Sequence, residues 1–288
     1  MLTLTSSTSS IVVAPEFGAG LTGWMLGRTP ILRRALPQAA VGRNPHTMGC
    51  FPLLPYGNRI GRGRFHWRGC EYELTPNFGD HPDTIHGVGW LRAWTVDEAG
   101  PRSVTLSLEH RPDSSWPFAF RAEVCYTLSG AALTVTIQMT NRHMAAAPGG
   151  IGLHPHFPKA NHPMLRFTAG GAWENGPNSL PSRYAPPCAD WQHTEPRSVV
   201  ESRLDNCFTG WDGTAEFQAG PAGLRIDASE VFRQLHVFTP AWADFFCVEP
   251  VSHVPDALNR PDLPIEQAMH VLQPNETLGG TVRFTPVG

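Results

Sequence analysis

Short runs in which apolar and polar residues alternate recur along the chain. The clearest is Ala131–Thr140 (AALTVTIQMT), where Leu133, Val135, Ile137 and Met139 fall on one face. A period of two marks a strand with one buried side. Similar or β-branched runs lie at Ser10–Ala14, Ser103–His110, Phe118–Leu128, Leu224–Asp227, Leu235–Phe238, Phe245–Val248 and Gly280–Phe284. Ser129-Gly130 separates two of them and predicts a hairpin turn. No segment sustains a helical period over three turns. Four stretches rich in proline and glycine, Arg43–Gly63, Asn77–Gly89, Pro148–Pro163 and Ala169–Pro187, are predicted as long loops, and histidines and tryptophans collect in them. No linker, repeat or change of composition divides the chain. The pattern predicts one all-β domain over residues 1–288, a large antiparallel sandwich of two packed sheets.

Composition narrows the functional classes. Hydrophobic residues make up 41% and charged residues 16%, enough for a sizeable core and too apolar for disorder. A net charge of −3 builds no positive field for nucleic acid or an anionic membrane. The six cysteines show no CxxC spacing and read as buried free thiols, not as a disulfide framework or a zinc site. Met1–Ser10 lacks a basic segment followed by an apolar one, and no run approaches the ~18 apolar residues of a spanning helix. A soluble, cytoplasmic protein is expected.

Two motifs invite cofactor or metal readings. Gly18-Ala19-Gly20-Leu21-Thr22-Gly23 has the spacing of a dinucleotide fingerprint, but Pro30 follows closely and no acid lies about 20 positions on. It reads as a glycine-rich turn. His154-Pro155-His156 is expected to divide its imidazoles between opposite faces of an extended segment, and no HExxH or carboxylate cluster completes a ligand set. Neither a metal nor a cofactor is expected. The sequon at Asn275 matters only for a secreted chain.

More informative are polar residues set in apolar or glycine- and proline-rich surroundings. They are Asn58-Arg59 before Gly61 and Gly63, His86 in Ile85-His86-Gly87, His154 in Gly152-Leu153-His154-Pro155, Asp205 before Phe208, and Glu249 closing Phe245-Phe246-Cys247-Val248. Each alone has a structural explanation, such as a buried carboxylate held by backbone donors.

Together they resemble the aldose 1-epimerase (galactose mutarotase) family over nearly the whole length. The resemblance rests on Ala14-Pro15-Glu16-Phe17-Gly18, Pro55-Tyr56-Gly57-Asn58-Arg59-Ile60, His86-Gly87, His154-Pro155-His156-Phe157, Val248-Glu249-Pro250 and Pro255-Asp256-Ala257-Leu258-Asn259. The glutamate followed by P-D-A-x-N is its most specific element. The chain departs from the family pattern at Val88, Leu153 and Pro250-Val251, as in a divergent bacterial branch. The resemblance implies a β supersandwich with a ligand groove across one concave sheet. It implies Glu249 and His154 as catalytic base and acid, and Arg59, Asn58, His86 and Asp205 as binding residues for a monosaccharide. Asp205 is placed to keep His154 charged, and one of Trp90, Trp173 or Trp211 to stack on the sugar. Rival expectations are an epimerase of hexose 6-phosphates using Arg62, Arg64 or Lys159, a non-catalytic carbohydrate-binding protein, and a lyase or glycosidase using Glu249 and Asp205.

Overall fold

The computed structural model describes residues 1–35, 47–219 and 222–287. Strand accounts for 51% of the structure and helix for 4%, the latter in single 3-10 turns. None of the described helices is long and apolar enough to cross a membrane. The all-β architecture predicted from the alternating runs is the architecture found.

Two antiparallel sheets, one of eleven strands and one of nine, form the body of the chain. In the nine-stranded sheet Ser103–His110, Phe120–Ser129, Ala132–Asn141, Thr277–Val287 and Ala222–Ala228 lie side by side. Leu133, Val135, Ile137 and Met139 all turn inward, as the alternation requires. The hairpin forms one residue later than expected: Ser129 pairs with Ala132, so Gly130 and Ala131 make the turn, with Gly130 at φ +58°. That positive φ is what glycine supplies there without steric cost.

The centre of the eleven-stranded sheet runs Cys50–Leu53, Gly152–Pro158, Phe245–Val251, Gln234–Phe238, Asp205–Thr209. Leu153, Phe157, Phe246, Val248, Leu235 and Val237 are completely buried on the face toward the other sheet. Each such side chain contributes about 1.5–3 kcal/mol on burial. A slip of one residue would move this whole set to the opposite face, so the apolar alternation pins the register. The face turned away from the core then carries the polar members of the same strands.

All four of the predicted loops contain strand, the second only the two-residue Thr84–Ile85. Cys50–Leu53 lies in the first, whose residues 43–46 fall outside the described residues; Gly152–Pro158 lies in the third, and Gly171–Asn175 and Pro181–Ala185 in the fourth. Proline concealed them, because it cannot donate to a ladder. Here the ladder adapts. Gly152–Pro158 pairs with Phe245–Val251 at Gly152↔Val251 and resumes at His156↔Cys247. The intervening span holds Pro155 and Pro250, which have no N–H to offer.

Candidate active site

That interrupted span is where the site forms. Its register sets His154 opposite Glu249, and His154 Nε2 lies 3.5 Å from Glu249 Oε1. Because residues two apart share a strand face, His154 and His156 point the same way, as do Phe245, Cys247 and Glu249. On the next strand His236 stands directly opposite Glu249, and beyond it Cys207 opposite His236, two residues from Asp205. The face turned away from the core therefore carries a row of polar side chains fixed by ladder geometry. It lines a groove of about 500 Å³, a volume in the range of small-molecule sites.

The rings of His154 and His156 are stacked, with centroids 4.5 Å apart and planes 11° from parallel. This corrects the expectation that the pair would be divided between faces: the two-residue period of a strand puts them together. With Cys247, which faces His156 across the ladder, they form a cluster whose donor atoms lie within 4.8 Å of one another. Burial and the neighbouring Glu249 push the Cys247 thiol well above its ordinary range.

Asn58, Arg59 and His86 reach the groove from the ends of a short ladder in which Arg59–Ile60 pairs with Thr84–Ile85. Asn58 and His86 both adopt positive φ, at 58° and 60°. They brace each other: His86 N–H donates to Asn58 O at 2.8 Å, and Asn58 N–H donates to His86 Nδ1 at 3.1 Å. Since Nδ1 accepts, a neutral His86 carries its proton on Nε2. Asn58 Oδ1 accepts from Arg59 N–H at 2.9 Å, which fixes the amide orientation and leaves its NH₂ on the groove side. Gly87, at φ +69°, could not be any other residue: an added Cβ would sit 2.3 Å from Leu54 O.

The P-D-A-x-N element serves this loop. Asp256 N–H donates to Arg59 O at 2.8 Å, Asp256 Oδ1 accepts from Gly61 N–H at 2.9 Å, and Asn259 Nδ2 donates to Asp256 Oδ1 and Arg64 O. Behind it, His253 Nε2 accepts from Gly57 N–H at 3.1 Å while Nδ1 donates to Val254 O at 2.7 Å. Asn77 holds the His86 loop in the same way, through Ile85 N–H, Ile85 O and Gly87 O.

The electrostatics follow from burial. Glu249 is 2% exposed, and desolvation, aided by Asp205, pushes its carboxyl up to about 7 against the opposing pull of His236 and Arg59. Burial disfavours charge on Asp205 too. There, however, the hydrogen bond and charge of His236, with Arg59, hold the carboxyl below its usual range. Asp205 Oδ1 is 3.0 Å from His236 Nε2. The acid therefore partners His236; the carboxylate beside His154 is Glu249. The expectation that Asp205 serves His154 is corrected accordingly.

All six residues singled out in the sequence line this one groove. Arg33, His156, His236, Phe238, Trp242 and Phe245 line it as well. The Arg33 guanidinium lies over the Phe245 ring at 4.3 Å, and Trp242, 80% exposed, meets that ring edge-on. Trp90, Trp173 and Trp211 are instead core residues, each with its indole N–H donated to a protein oxygen. Arg62, Arg64 and Lys159 lie outside the groove lining: Arg64 pairs with Glu73 and Lys159 binds Pro240 O. Of the further lining residues, His156 already stood in the His154-Pro155-His156 motif, and His236 left a trace as a polar position alternating with Leu235 and Val237.

Comparison with known proteins gives a consistent picture. A family model described as Aldose 1-epimerase matches residues 1–285. The uncharacterized protein YphB of Escherichia coli K12 is 30% identical over 270 residues, covering 90% of each chain. A crystal structure of an aldose 1-epimerase candidate from the same organism superposes with a TM-score of 0.89 at 28% identity, covering 99% of this chain and 98% of that one. A galactose mutarotase-like protein from Clostridium acetobutylicum shares the fold, with a TM-score of 0.87 at 17% identity over 99% and 94% of the two chains.

Proposed function

Since the chain belongs to the aldose 1-epimerase family, we propose that it is a mutarotase, interconverting the α and β anomers of an aldose by acid–base ring opening and reclosure. The observation that carries this reading is the buried Glu249–His154 pair, 3.5 Å apart in a groove lined by hydrogen-bonding side chains.

Opening a cyclic hemiacetal needs a proton taken from the anomeric hydroxyl and another given to the ring oxygen. Glu249 as carboxylate takes the first, and His154 as imidazolium gives the second. The C1–O5 bond breaks and C1 becomes an aldehyde. After rotation about C1–C2 the roles reverse: neutral His154 recovers its proton from the O5 hydroxyl as O5 attacks C1, and protonated Glu249 returns its proton to O1. Both groups end as they began, so the cycle balances without net proton uptake. Each placed acid or base is worth on the order of 10²–10⁴ in rate. A carboxyl poised at about 7 is well matched to exchanging protons near neutrality.

Around this pair the groove supplies orientation. Arg59, the Asn58 amide NH₂, His86 and Asp205 offer donors and acceptors for ring hydroxyls. Trp242 and Phe245 offer apolar faces for the C–H side of a pyranose. Phe51 at 4.8 Å and His156 at 4.5 Å enclose the His154 ring and fix its plane.

Polarimetry of freshly dissolved α-anomers tests the reading. The wild type is expected to accelerate decay of rotation for at least one aldose, and His154→Asn to lose that acceleration. A second reading, a sugar with an anionic substituent, is favoured by Arg33 in the groove wall. Comparing a free hexose with its 6-phosphate in the same assay distinguishes the two.

A further inference from the structure

His236 takes no part in the proton transfers described above, yet it is 4% exposed and built into the centre of the groove wall. It stands opposite Glu249 on one side of its strand and opposite Cys207 on the other. Its Nε2 lies 3.0 Å from Asp205 Oδ1 and 3.4 Å from Asn58 Nδ2. The Asn58 amide oxygen is engaged by Arg59 N–H, so the atom facing His236 is the amide nitrogen, which cannot accept. Of these two neighbours only Asp205 is an acceptor, and the Nε2 proton is directed to it. His236 Nδ1 is buried without a hydrogen-bond partner among the described residues, so a proton there carries a desolvation cost that the flanking Asp205 and Glu249 carboxylates must offset.

The charges around Glu249 come from every neighbouring element. His154 faces it from one adjacent strand and His236 from the other; Asp205 and Arg59 lie farther along the groove. The thiols of Cys50, Cys207 and Cys247 are held protonated by burial and by Glu249 itself. Arg59 also lies 4.0 Å from Asp83, which draws part of its field. With His154 as its sole close cation, the buried carboxylate would gain by taking the His154 proton, leaving two neutral groups. That collapse removes both the base and the acid. A second cation on the opposite side favours the charge-separated form.

We propose that His236 is a positioning residue for the reaction, an imidazolium that pairs with Asp205 and keeps Glu249 ionised so that His154 retains the proton destined for the ring oxygen. The sequence Asp205, His236, Glu249, His154 then alternates in charge across four neighbouring strands. The direction of the shift at His236 agrees: burial alone would favour the neutral ring, but the Asp205 hydrogen bond and the charges of Glu249 and Asp205 raise its affinity for a proton. This inference rests on the acid–base role assigned to Glu249.

The test is a pH titration by NMR of protein labelled with ¹³C at glutamate carboxyls and ¹⁵N in histidine rings. Glu249 is assigned by the signal lost in Glu249→Gln, and His236 by the signal lost in His236→Gln. Wild-type His236 is expected to carry protons on both ring nitrogens at neutral pH, and a singly protonated ring there overturns the proposal without recourse to a variant. In His236→Gln the Glu249 titration and the acid limb of kcat/KM are expected to move up together by ~1 pH unit. An unmoved Glu249 titration in folded His236→Gln, with only a lower Tm, would reduce His236 to a packing residue. If the wild type exchanges anomers of no sugar, the epimerase reading falls, and with it the catalytic part of this proposal; the NMR titration then still decides the charge coupling.

Discussion

Glu249 and His154 meet across a stretch of ladder that proline has interrupted on both strands. Pro155 and Pro250 flank the pair, and pairing resumes only at His156↔Cys247. The proposed acid and base are thus held by two strands of a large sheet while the backbone between them is released from regular pairing. Rigid strands give an acid–base pair more precise placement than loops can.

With Glu249 as the proposed base, the pH dependence of turnover is expected to follow its titration. A base is competent only when ionised, and burial sets this carboxyl at about 7. The value of kcat/KM is expected to fall below about pH 7, approaching tenfold per pH unit. The ordinary carboxylate range would instead put the limb near pH 4.5. A limb at the lower position would show that Glu249 is not the titrating base.

His253 links the loop of Asn58 and Arg59 to acid stability. Its Nε2 accepts from Gly57 N–H, so the folded state requires a neutral ring, and burial pushes its pKa down to about 4 from an unfolded value of 6.5. The unfolded chain therefore binds the extra proton first. The stabilisation is complete above pH 6.5 and is lost as pH falls toward 4, by about 3 kcal/mol in all. Glu249 acts oppositely: its raised pKa favours the folded state when protonated, a contribution that declines between pH 4.5 and about 7. Urea unfolding of wild type and His253→Leu across pH 4–8 separates the two contributions. The variant is expected to lose the His253 part of the pH slope and to be less stable by about 1–3 kcal/mol at pH 7, because Gly57 N–H loses its partner.

Asp256 is expected to act on binding through the backbone that carries Arg59. Asp256→Ala removes the acceptor of Gly61 N–H and the partner of Asn259. The expected outcome is a loss of about 1 kcal/mol of stability and a rise in KM larger than the fall in kcat. Asp256→Asn keeps an oxygen in the same place and is expected to retain most of the affinity. Equal effects of both variants on KM would show that the carboxylate charge, not the hydrogen bond, matters.

Trp242 offers a contrasting case, since it is 80% exposed. Trp242→Ala is expected to leave Tm nearly unchanged. Loss of an aromatic contact worth about 0.5–1.5 kcal/mol should raise KM roughly twofold to tenfold. An unchanged KM would remove Trp242 from the binding surface.

Strands whose apolar residues alternate, such as Ala132–Asn141, were legible in the sequence because one periodic property specifies them. Gly152–Pro158 was not, since proline signals a loop locally while neighbours on either side still complete a sheet around it. Among site residues, Glu249, His154, His86, Asn58, Arg59 and Asp205 stood out as polar groups in apolar or glycine-rich surroundings. His236 carried the same signal within Leu235–Phe238 but lies in none of the motifs that carry the family resemblance. Arg33, beside Arg34, carried none: its place depends on the stacking of its guanidinium over Phe245, a contact 212 positions away in the chain. The P-D-A-x-N element was legible as a marker of the family, but its work, holding the Arg59 loop, became visible only with its hydrogen bonds.

The most direct test of the central claim is saturation-transfer NMR of anomer exchange, with wild type and Glu249→Gln compared on a panel of aldoses and their 6-phosphates. The wild type is expected to transfer saturation between the α and β anomeric protons of at least one sugar. Glu249→Gln should still bind that sugar and exchange it more slowly by about 10²–10⁴. Equal exchange rates in the two proteins would contradict the account, as would a wild type that binds a sugar tightly without exchanging it.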